Sequence, residues 1–355
     1  MFLALKEIQY SKLRYALVVG LLFFVSLLVF FLTGLAYGLA QSNRSAIDEW
    51  QADEIILSDG VSNQLRMSQF PLDDWDEISA DEKAPIGVQD ALFENPNDGE
   101  DEAIQGQLFG IELDSFLKPE IVDGEDIDGE NEVIVDTTLL EKNNLSIGDK
   151  LKFNDSDDEL TIVGVTEGHQ LSVQPGIYLS LDDYANLEMT PGSEDTPIIS
   201  AGIIRGEASV DEDEFDQSAI DDFIQDLPGY AAQNLTFLLM IGFLVIISAI
   251  ILGIFIYILT LQKVSTFGVM KAQGIGDRYI ITSVVAQTFI LSIIGIAGGL
   301  IVTGLVSFGL PADVPYENNW PFYAGISALM VVVSVLGGLF SARTITKIDP
   351  LEAIG

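Results

Sequence analysis

Four stretches of the chain contain no charged residue: 15–40, 227–262, 279–312 and 318–342. Each exceeds the roughly 20 apolar residues with which an α-helix crosses a hydrocarbon core of about 30 Å. The pattern predicts four transmembrane helices, over 15–41, 230–261, 279–310 and 321–343. The first of these stretches, 15–40, has 26 residues, well beyond the apolar region of about 7 to 15 residues in a cleaved signal peptide, so it is read as a retained anchor.

The long segment 42–229 follows a different rule. "DEIILSD", "AIQGQLFGIEL", "NEVIVDTTLL" and "LTIVGVTEG" are short β-rich runs parted by Gly, Asp and Asn turns, while "LDDYANLEM" and "FDQSAIDDFIQDLPGY" carry helical spacing. The expected fold is an α-helical membrane protein with four transmembrane helices and a large mixed α/β domain inserted between helices 1 and 2. The remaining parts are an amphipathic segment 1–14, a short connector 262–278, a loop 311–320 and a tail 344–355.

Charge sets the orientation. The chain carries a formal charge of -38, and 48 of its 54 acidic residues but only 8 of its 16 basic ones fall in 42–229. The other basic residues (Lys6, Lys12, Arg14, Lys263, Lys271, Arg278, Arg343 and Lys347) all flank membrane ends on one side. By the positive-inside rule that side is the cytoplasm, which puts both termini and 262–278 inside and the acidic domain outside. Tyr316, Trp320 and Tyr323 suit an aromatic belt at the outer loop.

Several chemistries are disfavoured. The chain has no Cys and a single His, His169, which removes thiol nucleophiles and paired-histidine zinc motifs; His169 in "EGHQ" reads as a polar surface residue. No G-x-x-x-x-G-K-[ST] is present, so any ATP-driven work needs a separate ATPase. The helix interiors hold no ionisable residue, against a proton relay or ion-coupled pump. The acidic clusters 123–132 and 211–216 lack EF-hand spacing and read as a solvated surface. "GLAYG" and "GIAGG" place small residues four apart, which lets helices approach closely, a second copy of the chain included.

Between two membrane runs lies "QKVSTFGVMKAQGIGDRYI" (262–280). A short helix after Lys263, capped by Gly274 and Gly276, would present Phe267, Val269 and Met270 to a partner within a basic rim of Lys263 and Lys271. The bland alternative is an inside loop whose lysines only fix topology.

One helix, a large domain, three helices and a short tail resemble the FtsX-like and macrolide-exporter type permeases of ABC transporters. So do "LSIGDKLKF", "LTIVGVTEG", "GIYLSLDDYANL", the 262–280 segment and the ending "ARTITKIDPLEAI". The amino-terminal 43 residues are further similar to the haem-efflux permeases of Gram-positive bacteria. The resemblance implies a multi-pass cell-membrane protein without catalytic residues, intrinsic cofactor, metal site or nucleic-acid partner. It also implies a homodimer paired with two copies of a cytoplasmic ATPase, with haem as the exported ligand. Haem is apolar, planar and anionic at its propionates; Phe30, Phe31, Tyr37, Tyr230 and Met240 are the candidate contacts, Met240 and the tyrosines being able to ligate iron. Two other readings stay open: export of a different amphiphile such as a peptide or antibiotic, or signalling to an outside cell-wall hydrolase. The strong acidity of the inserted domain is not a feature of the family.

Overall fold

The computed structural model describes residues 10, 12–95, 99–153, 157–187, 197–211, 214–311 and 314–343. Residues 1–9 and 11 of segment 1–14 lie outside these, as does the whole tail 344–355. The chain divides into two compact units. One is helical, comprising the chain to Gly38, Leu235–Pro311 and the part from Tyr316 onward. The other is the α/β unit, Leu39–Asn234 with Ala312–Pro315.

In chain order, helix α1 (Lys12–Glu49) precedes β1 (Glu54–Ser58), β2 (Phe70–Pro71), α2 (Leu72–Asp76), β3 (Ser79–Asn95), β4 (Gly99–Ile111), β5 (Asp123–Gly124) and β6 (Glu132–Asp136). Then come α3 (Thr137–Asn143), β7 (Lys150–Lys152), β8 (Glu159–Thr166), β9 (Gln170–Leu171), β10 (Gln174–Ser180), α4 (Leu181–Asn186), β11 (Ile198–Ile199), β12 (Ala201–Ser209), β13 (Phe215–Ala219) and α5 (Ile220–Asp226). The last described elements are α6 (Tyr230–Leu261), α7 (Val264–Ala272), α8 (Asp277–Ser307) and α9 (Trp320–Arg343).

The α/β unit is built on an eleven-stranded mixed sheet with the order β13-β1-β12-β3-β4-β10-β6-β8-β5, to which β7 adds beside β8 and β9 beside β10. Its β4–β10 and β6–β8 pairs are parallel. Both faces are covered, which explains why the central strands read as continuous apolar runs rather than alternating ones. Successive side chains alternate between two cores. Ile56, Leu108, Val133, Val135, Ile177 and Ile204 face one, with Trp75 of α2 and Tyr184 of α4. Ile55, Leu57, Phe109, Ile134, Tyr178 and Ile203 face the other, with Trp50 and with Phe223 of α5.

One expected strand stretch and one expected helical stretch change type here. "TTLL" leaves the predicted strand to become α3, because Asp136 caps it by accepting the Thr138 N–H at 2.8 Å. "FDQSA" is strand β13 rather than helix, held by full pairing with β1. Helix α1 also runs past the expected end at residue 41. Arg44 donates to Asp48 one turn on (Nε to the two carboxylate oxygens at 3.0 and 2.9 Å), and Ala46, Ile47 and Trp50 bury against the sheet.

Among the described residues four helices, α1, α6, α8 and α9, are long and apolar enough to cross a membrane. Their outward residues, such as Phe24, Leu238, Phe243, Ile250, Ile301 and Val332, are large and apolar. In water such surface would be a liability; in lipid it costs nothing. Because lipid offers no hydrophobic drive between helices, close packing must hold the bundle. The "GIAGG" glycines supply it within one chain. A Cβ at Gly295 would lie 2.6 Å from that of Leu22, and one at Gly299 would lie 2.8 Å from the Leu27 nitrogen, so α8 meets the α1 backbone. Gly34 of "GLAYG" likewise faces Tyr316 and Tyr323 of the same chain. These glycines are thus spent on intrachain packing, whereas the sequence left a second copy open as their partner.

Candidate functional site

Within the helical unit the connector forms helix α7, ended by Gly274 at φ +85° with the Ile275 N–H bonded back to the Met270 carbonyl at 3.0 Å. Its apolar residues do not all face outward. Phe267 is 2% exposed and packs with Leu252, Ile256, Ile280 and Val284, and Met270 leans on the same cluster. Val269 is 44% exposed. The expectation that Phe267, Val269 and Met270 share a docking face is corrected: 267 and 270 stand one turn apart on the bundle side, while 269 shares the free side with Ser265 and Ala272.

The lysines are engaged rather than forming a free rim. Lys271 pairs with Asp277 at 2.8 Å with only 11% of its side chain exposed. Lys263 donates to the Tyr15 hydroxyl at 2.7 Å and sits 5.4 Å from the centre of that ring. Tyr15 in turn donates to Gln287 Oε1 at 2.9 Å. One polar chain thus ties α1, the α6–α7 junction and α8. Sequence reasoning missed Tyr15 and Gln287; the available signal was a lone amide in the uncharged run of α8.

The five residues expected around a ligand differ in exposure and in the contacts they already make. Phe30 is fully buried against Tyr323, ring centres 5.5 Å apart, and Phe31 lies 5.5 Å from the ring of Tyr316. Tyr37 is half-buried and Met240 is 39% exposed. Tyr230 belongs to the other unit, where it is 5% exposed and its hydroxyl accepts from Arg44 at 3.4 Å. Tyr323, placed in an aromatic belt from sequence, is instead a core residue hydrogen-bonded to Tyr316 at 3.0 Å; Trp320 is the exposed member.

In the α/β unit, His169 is 5% exposed, not a surface residue. The cause is Asp136: one carboxylate oxygen caps α3 and the other accepts the His169 N–H at 2.7 Å, pulling the loop inward. The imidazole Nδ1 lies 2.8 Å from the Tyr178 hydroxyl. Burial pushes the imidazole down to about 4, outweighing the nearby Asp136 charge, and pushes the Tyr178 phenol well up.

Just beyond, the β9–β10 turn places Ser172 and Val173 at φ +52° and +67°. A β-branched residue rarely adopts that conformation. The turn is held because both its N–H groups donate to α1 carbonyls, Ser172 to Asn43 at 3.1 Å and Val173 to Ser42 at 2.8 Å. The Ser45 hydroxyl adds a bond from the Gln170 N–H at 3.0 Å. Close by, Gln107 of central strand β4 is fully buried with neither amide atom partnered. Each orphaned group costs about 1–3 kcal/mol.

Residues 238–350 match the family described as FtsX-like permease C-terminal. The whole chain is 27% identical over 358 residues to the protein named "Putative hemin transport system permease protein HrtB" of Staphylococcus epidermidis, covering 100% of this chain and 99% of that one. Its namesake in Staphylococcus haemolyticus is 26% identical over 366 residues, with the same coverage. A Mycobacterium tuberculosis protein named an uncharacterized ABC transporter permease is 22% identical over 369 residues, again covering 100% and 99%. Among solved structures, the extracellular domain of the noncanonic ABC-type transporter YknZ from Gram-positive bacteria aligns with 44% of this chain and 83% of its own, at 14% identity and a TM-score of 0.31. Residues 238–350 thus match an FtsX-like permease C-terminal domain, and the chain is similar from end to end to proteins named as permeases of transport systems of the ABC type.

Proposed function

We propose that the chain exports haem from the membrane as a homodimer driven by two copies of a cytoplasmic ATPase subunit. Both termini lie inside and the α/β unit lies outside. The observation that carries this reading is the end-to-end similarity to proteins named as hemin permeases. The basic residues outside segment 42–229 all flank membrane ends on one side, which supports the orientation.

The ATPase docks on the free face of α7, where Val269 and Ala272 are the apolar contacts, with the exposed Arg278 at the start of α8 as the nearby charge. Lys263, Phe267, Met270, Lys271 and Gly274 shape and anchor that helix. A push on α7 reaches α1 and α8 together through Lys263, Tyr15 and Gln287, so the ATPase stroke moves several helices as levers. Haem contacts fall to Phe31, Tyr37 and Met240, because Phe30 is consumed by the core and the Tyr230 hydroxyl by Arg44.

The test is a haemin titration of the reconstituted complex, following the Soret band and ATP turnover, with Met240→Ala and Tyr37→Ala alongside. A saturable shift weakened in either variant supports haem export. ATP turnover indifferent to haemin, with no saturable shift, sinks it and favours another amphiphile or a signalling role.

A further inference from the structure

A cavity of about 280 Å³ opens in the α/β unit beside the strained β9–β10 turn. It has the volume share of about nine waters. We propose that it is a binding site for a small neutral molecule bearing a secondary amide. The inference is independent of what the membrane helices move.

Three observations converge. First, Gln107 lies in the cavity wall, fully buried on a central strand with neither amide atom partnered. Its neighbours along β4, Leu108 and Phe109, are core residues, so an apolar side chain would serve the fold better at this position. A primary amide presents a donor and an acceptor side by side, and a secondary amide on a ligand satisfies that pair reciprocally once the wall over Gln107 gives way, the residue being closed to solvent until then. Second, the lining is mixed in the way of a small-molecule site: a floor of Leu65, Val88, Leu171 and Leu227, with Gln64 and Ser172 adding polar groups. Third, the turn that walls it holds Ser172 and Val173 at positive φ, a strain of the kind that persists at functional sites.

Charge narrows the ligand. The single charged residue of the lining, Arg66, is committed to Asp90 at 2.6 Å, which leaves a neutral site inside a segment with 48 acidic and 8 basic residues. The surrounding field repels anions, and the lining offers a cation no free carboxylate. Acetamido groups of N-acetylated sugars and uncharged peptide segments share the required chemistry. Occupancy would bear on α1 directly, since Asn43 lines the same cavity and accepts from the turn at 3.1 Å.

The experiment uses the full chain in lipid nanodiscs with N,N′-diacetylchitobiose and an uncharged blocked alanine dipeptide as probes, read by thermal shift and by hydrogen exchange over 63–66 and 170–173. The proposal expects saturable protection by at least one probe. Gln107→Leu should weaken it by at least roughly tenfold without lowering the melting temperature, and the exposed Gln64→Ala should weaken it severalfold. Protection by the sugar alone assigns the source to glycans, and by the peptide alone to polypeptide. Absence of protection by either probe overturns the site, as does protection that survives in both Gln107→Leu and Gln64→Ala.

Discussion

The imidazole of His169 should remain neutral far below the pH at which a free histidine protonates. The group is 5% exposed, held at Nδ1 by Tyr178, and pushed from 6.5 down to about 4. In the unfolded chain it binds a proton near its ordinary value, so between the two pH values the unfolded state holds more protons than the folded one and stability rises with pH. The contribution is fully present above about pH 6.5 and is lost as pH falls toward 4. At about 1.4 kcal/mol per pH unit the window corresponds to about 3 kcal/mol. Because the chain has one histidine, a carbon-13 label in the imidazole reports this group alone. Many carboxylates titrate in the same range, so stability is compared between the protein and His169→Asn, whose amide keeps a partner for Tyr178; the shared carboxylate effects cancel. The expected result is an NMR midpoint near pH 4 and a stability difference that changes by about 3 kcal/mol between pH 6.5 and 4. A midpoint near 6.5, or a difference flat across that range, refutes the argument that burial outweighs Asp136.

Gly299→Val should force α8 away from α1 and cost about 1–3 kcal/mol, seen as lower thermal stability in detergent, whereas Gly242→Ala, with nothing within 4 Å of its added carbon, should be neutral. Phe267→Ala should destabilise the bundle by about 3–5 kcal/mol, while Val269→Asp should leave stability unchanged and abolish ATPase coupling, measured as ligand-stimulated ATP turnover. Tyr15→Phe removes the hydroxyl shared by Lys263 and Gln287 and should uncouple ATP turnover from transport, read as hydrolysis without cargo movement. Val173→Gly should relieve the positive φ, raising local stability by up to about 1 kcal/mol by hydrogen exchange at the turn.

The membrane helices were legible because their signal is local and redundant: a bilayer demands some twenty uncharged residues in a row, and no tertiary contact can erase that requirement. The same holds for the two-faced sheet, whose runs around Ile55, Ile134 and Tyr178 announce burial on both sides. Charge placement, a sum over many residues, gave the expected orientation. Direction within an element was harder. Phe267 and Val269 differ by two positions on a helix, and only the packing of α7 against Ile256 and Val284 decides which one is free. His169 reads as polar and exposed until Asp136, 33 residues earlier in the chain, supplies a partner for its N–H. The Lys263, Tyr15 and Gln287 chain and the cavity beside Gln107 assemble residues far apart in sequence, where no periodicity reaches. Sequence alone determined which segments suit lipid and which central runs form strand, because solvent and backbone act on each segment separately, whereas the ends of such runs, 137–140 and 215–219, were decided by capping and by pairing with β1. Tertiary structure alone decided which polar groups meet, because that depends on the close approach of elements that pattern does not encode.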